Sequence, residues 1–111
     1  MLYIRGAVTA KNTIEDISSQ SIKLMEEILS ANKLCSQNVS AVLFTVTKDI
    51  TAANPCTEVR KRFGMDGAAF MCMQEADIEG SLSNCIRVLV VADGDNKAQF
   101  VYLDGAQNLR K

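Results

Sequence analysis

The chain has 111 residues, of which 48% are hydrophobic and 23% charged, with a formal net charge of -1. That length suits a single domain, 1–111, with a substantial core; the near-neutral balance argues against a nucleic-acid partner, and no apolar run approaches the ~20 residues that cross a bilayer. Histidine is absent, which excludes a Ser-His-Asp triad, a Cys-His pair and the helical HExxH zinc site.

Leu2 to Val8 is a short apolar stretch that reads as a strand. Arg5 lies inside this run rather than before it, so the N-terminus does not read as a secretory signal. Cys35, Cys56, Cys72 and Cys85 are then expected to be reduced thiols of a cytoplasmic chain, and their spacing matches no CxxC site. Asn12 and Thr13 offer N-caps, with Glu15 and Asp16 in a first turn. Ile14, Ile17, Leu24, Met25 and Ile28 follow at helical spacing, with Ser21 inside the stripe, and predict an amphipathic helix of about 18 residues. Ser40 to Val46 reads as the second strand. Pro55 suits the first turn of a short helix, Pro55 to Phe63, which Gly64 and Gly67 end. Ala68 to Met73 and Cys85 to Val91 read as the third and fourth strands. The Asp93-Gly94-Asp95-Asn96 turn predicts a hairpin between the fourth strand and a fifth, Gln99 to Leu103.

Five strands with one long and one short helix give an α+β fold. One helical stripe covers one face of such a sheet, yet Cys85 to Val91 is apolar on both faces. The expected cover for the second face is another copy of the chain, which predicts an obligate homo-oligomer.

The informative residues are charges embedded in apolar strands: Arg5, Arg87, and Glu75 at the end of Phe-Met-Cys-Met-Gln-Glu. An unpaired core charge costs several kcal/mol, so each needs a partner. Either an arginine pairs internally with Glu75, or Arg5, Arg87 and Arg60 of the short helix converge on a dianionic ligand, with the Tyr3 and Tyr102 hydroxyls as helpers. No phosphate loop, metal cluster or nucleophile elbow is present in the sequence. This inventory suits catalysis by electrostatics and positioning, without proton transfer.

Cys72-Met-Gln-Glu-Ala-Asp-Ile, followed by Gly80-Ser-Leu-Ser-Asn-Cys-Ile-Arg-Val, resembles the signature of the small trimeric, monofunctional chorismate mutases. Ile4-Arg-Gly-Ala-Val-Thr9 resembles that family's first strand and Val101-Tyr-Leu-Asp-Gly-Ala106 its last. The resemblance implies a five-stranded mixed sheet packed by one long helix, with three copies forming a pseudo-α/β barrel and active sites at the subunit interfaces. It implies conversion of chorismate, a dianion, to prephenate by a cofactor-free Claisen rearrangement in aromatic amino acid biosynthesis. By the same resemblance Arg87 is the cation beside the ether oxygen, and Arg5 with Tyr102 binds the side-chain carboxylate. Glu75 accepts from the ring hydroxyl, Cys72 contacts that hydroxyl, and Arg60 stands at the site mouth.

Asn54, Thr57 and Met71 depart from the pattern, which has an aromatic residue, a lysine and a threonine there. Cys72 and Glu75, three apart, face opposite ways in a regular strand. Both reach one ligand only if the strand ends or bulges near Met73, or if Cys72 acts through its backbone. The alternative reading is a non-catalytic trimer that binds a small carboxylate as a sensor or regulatory module.

Overall fold

A computed structural model describes residues 1–109. The strands are β1 (Leu2–Thr9), β2 (Val39–Val46), β3 (Ala69–Gln74), β4 (Cys85–Ala92) and β5 (Val101–Leu103); the helices are α1 (Ile14–Ala31) and α2 (Pro55–Phe63). They form one five-stranded sheet in the order β3-β2-β4-β1-β5. β4 runs antiparallel to both β1 and β2, while β2/β3 and β1/β5 are parallel, so the sheet is mixed.

Local chemistry accounts for the helices. Thr13 caps α1 by accepting from the Asp16 N–H, and Glu15 and Asp16 face the positive end of the helix dipole. Asn12 instead ties down the β2–α2 connection, its Oδ1 accepting from the N–H groups of Thr51 and Ala52. In α2, Pro55 occupies the first turn and Asn54 is the cap, accepting from the Cys56 N–H at 2.9 Å.

Of the α1 stripe, Ile17, Ser21, Leu24, Met25 and Ile28 are fully buried, while Ile14 in the first turn is exposed. The stripe packs on the inward positions of the sheet, among them Ile4, Val8, Val42, Phe44, Ile86 and Val90, and Cys56 and Val59 of α2 join this cluster. Burying each large aliphatic side chain contributes about 1.5–3 kcal/mol. Gly6 permits the close contact between layers: a Cβ there would meet Ile28 Cδ1 at 2.9 Å and the Val101 carbonyl at 3.0 Å. No helix among the described residues is long and apolar enough to cross a membrane.

The expected β4–β5 hairpin is overturned. β5 is limited to Val101–Leu103 and pairs parallel with β1, through Gly6↔Val101, Ala7↔Tyr102 and Val8↔Leu103. Both edges of β4 are already occupied, by β1 and β2, so the chain after Ala92 has to pass across β1. Asn32, buried just beyond α1, guides the crossing: its Nδ2 donates to the Gln99 carbonyl at 3.0 Å and its Oδ1 accepts from the Gln99 N–H at 2.7 Å.

Both helices pack on one face of the sheet. On the other, Tyr3 is 60% exposed, Met71 56%, Met73 39% and Leu89 37%. Among the described residues that face is covered only at one end, where Ala106, Leu82 and Leu109 pack over Ala7 and Cys85.

Candidate active site

Strand register assembles the site on the open face. Arg87 of β4 lies opposite Ala7 of β1 and Thr45 of β2; Thr45 in turn lies opposite Met73, and Ala7 opposite Tyr102. The next row on the same face runs Met71, Leu43, Leu89, Arg5. Arg5, Leu43, Thr45, Met73, Arg87 and Tyr102 line a pocket of about 340 Å³, within the range of small-molecule sites. Two guanidinium groups in a mostly apolar concavity suit a small anion with more than one negative charge.

Arg87 has the internal partner that its place in an apolar strand requires. Its Nε lies 2.9 Å from Glu75 Oε1, with side-chain exposures of 36% and 16%. The Nε–H is not directed at that oxygen, so the contact is an ion pair rather than an aligned hydrogen bond. Glu75 reaches this position because β3 ends at Gln74 and the Glu75 N–H donates to the Val46 carbonyl at 2.8 Å, carrying the register one residue further. Glu75 thus shares the face of Met71 and Met73. The Thr45 hydroxyl donates to the same Oε1 at 3.3 Å. Arg5 makes no ion pair among the described residues. The Tyr102 hydroxyl is buried there without a hydrogen-bond partner among the described residues, and an unsatisfied buried hydroxyl costs about 1–3 kcal/mol.

Cys72 stands apart from these residues. Its register partner is the fully buried Phe44, so its thiol points to the helix-covered face and interacts with Cys56. Burial raises its pKa, and burial likewise pushes Cys56 and Cys85 up to about 11. All three are neutral thiols near pH 7, poor nucleophiles. The backbone of Cys72 is placed differently. Because the Glu75 N–H points toward β2, alternation turns the Cys72 N–H outward, to the free edge of the sheet.

Arg60, on the exposed side of α2, lies 6.0 Å from the Phe70 ring and does not line the pocket of its own chain. Tyr3 shares the face of Arg5 but lies outside the pocket lining. Thr45, Leu43 and Met73 also line the pocket, although no charge or motif marks them in the sequence. Their alternation with Phe44 and Cys72 signals an outward face, but only cross-strand register brings them beside Arg87.

The whole chain, residues 1–111, matches the family model described as chorismate mutase type I. Chorismate mutase AroH of Bacillus subtilis is 34% identical over 111 residues, spanning 96% of this chain and 87% of the relative. Chorismate mutase AroH of Thermus thermophilus is 37% identical over 112 residues, spanning 96% and 91%. Among solved structures, a chorismate mutase from Clostridium thermocellum superposes with a TM-score of 0.91 at 38% identity, covering 96% of this chain and 98% of that one. A match of this extent, in sequence and in the fold that builds the arginine-lined pocket, establishes that the chain belongs to the chorismate mutase type I family.

Proposed function

We infer that the chain is a chorismate mutase, an isomerase that converts chorismate to prephenate by an intramolecular Claisen rearrangement. One observation carries the reading beyond family membership: two arginines and a buried, unpartnered tyrosine hydroxyl converge in one apolar pocket. Chorismate carries two carboxylates, an ether oxygen and a ring hydroxyl. A pericyclic reaction needs no acid, base or nucleophile; the chain has no histidine, and Cys56, Cys72 and Cys85 are neutral thiols.

In this reading Arg87 stands beside the ether oxygen as the C–O bond breaks. A cation already fixed by Glu75 stabilises the developing negative charge more than it stabilises the ground state. Arg5 and the Tyr102 hydroxyl take the side-chain carboxylate and hold the enolpyruvyl arm over the ring. Glu75 accepts a hydrogen bond from the ring hydroxyl, and Cys72 meets that hydroxyl through its backbone N–H.

The active assembly is a homotrimer. Its support is the exposed apolar face of the sheet and the separation of Arg60 and Cys72 from the pocket of their own chain. A neighbouring copy that lays its β3 edge and α2 over the open face closes the pocket and delivers both residues. The enzyme class also supports a cytoplasmic, biosynthetic setting.

The test is direct. The purified chain mixed with chorismate should remove the substrate's ultraviolet absorbance far faster than the spontaneous reaction, with prephenate as the product. No acceleration would sink the reading. Ligand binding without turnover would instead favour the carboxylate-binding module.

A further inference from the structure

Glu75 Oε1 is engaged twice, by Arg87 Nε at 2.9 Å and by the Thr45 hydroxyl at 3.3 Å. Thr45 is the cross-strand partner of Arg87 on one side and of Met73 on the other. It thus sits in the sheet between the arginine and the strand end that presents the carboxylate, and it is itself part of the pocket wall. Glu75 follows the last residue of β3, so its backbone has one anchor, the Val46 carbonyl, and its side chain needs another to stay in place.

We propose that Thr45 is a positioning residue of the mutase site: its hydroxyl fixes the Glu75 carboxylate so that Oε1 steers the Arg87 guanidinium while Oε2 stays free for the substrate. The inference rests on the proposed function. With Oε1 occupied by Thr45 and Arg87, the carboxylate cannot rotate away without breaking both contacts. The ion pair is made at Nε, which leaves the terminal nitrogens available to a ligand. Thr45 touches neither reacting atom and acts through Glu75, so its effect belongs to the fixed geometry that the transition state needs.

The experiment is a set of substitutions read by steady-state kinetics with chorismate. Thr45→Val keeps the shape and removes the donor; kcat should fall about five- to tenfold while KM changes less than about twofold. Thr45→Ala removes the same donor and should fall equally, a second route if the valine variant folds poorly. Thr45→Ser restores the donor and should keep kcat within about twofold of the parent. Because Thr45 acts through Glu75, Thr45→Val in a Glu75→Ala background should slow the enzyme no further than Glu75→Ala alone.

An unchanged kcat in Thr45→Val, a serine variant as slow as valine, or additive losses in the double variant would overturn the proposal. A parent enzyme that fails to accelerate the rearrangement would overturn the mutase reading itself. An active parent with an indifferent Thr45 refutes the positioning role alone.

Discussion

Arg87 shows how a charge is kept inside an apolar strand. Its neighbours Ile86 and Val88 point into the core, while Arg87 points to the open face and meets Glu75. In the proposed reading the guanidinium ion-pairs with Glu75 at Nε and offers its terminal nitrogens to the substrate; an ammonium offers the charge without the fork. Arg87→Ala should therefore lower kcat/KM by about 10³-fold or more, and Arg87→Lys should recover only a small part of it. Circular dichroism of both variants should match the parent. Alanine activity within about tenfold of the parent would refute the role. The same residue inventory sets the pH profile. With no histidine, and with burial raising the Cys56, Cys72 and Cys85 thiols above their ordinary range, none of these groups has its midpoint between about pH 6 and 9. Turnover of the parent should be nearly flat across that window, and a bell centred near neutrality would contradict a reaction without proton transfer. At this scale much of the site was legible. Arg5, Arg87 and Glu75 stand out because charge in an apolar strand demands a reason. Thr45 does not stand out, because a threonine in a strand is ordinary until register sets it beside Arg87. For Cys72 the alternation rule was the better guide: it predicts a thiol facing away from Glu75, and the thiol does face the helices.

The elements divide between those fixed by local chemistry and those fixed by competition for partners. Helix limits follow from local signals, so α2 spans Pro55–Phe63 as its proline start and glycine stop indicate, and Thr13 sets the start of α1. Strand pairing is not local. Asp93-Gly94-Asp95-Asn96 carries a strong turn signal, yet a turn cannot make a hairpin when both edges of the preceding strand are taken. What directs the chain instead is Asn32, from the far end of α1. Its side chain donates to Ile28 and Gln99 and accepts from Gln99, all while 2% exposed. Asn32→Ala would strand buried backbone groups and should destabilise the fold by about 1–3 kcal/mol. Because β5 carries Tyr102 into the pocket, the same variant should raise KM for chorismate more than it lowers kcat. Denaturant unfolding with parallel kinetics checks both, and a variant of unchanged stability would refute the clamp.

For the whole molecule the decisive feature is the asymmetry of the sheet. One face is sealed by both helices, and the other leaves Tyr3, Met71 and Leu89 in water around an open pocket. Exposed apolar groups of this size on one contiguous face mark an interface, and here the interface is the proposed site of closure. The folded chain therefore holds the arginines and the tyrosine, while in the proposed trimer association supplies the far wall and excludes water. Tyr3 offers a test that spares the pocket, since it lies on the open face outside the lining. A carboxylate buried there without a partner costs several kcal/mol. Tyr3→Glu should leave the circular dichroism spectrum of the fold intact while light scattering after size exclusion shows a monomer for the variant and the proposed trimer for the parent. Its specific activity should be low at nanomolar protein and rise with concentration as mass action drives assembly. A Tyr3→Glu protein that stays trimeric would place the interface elsewhere, and one that turns over fully as a monomer would show that a single chain completes the site.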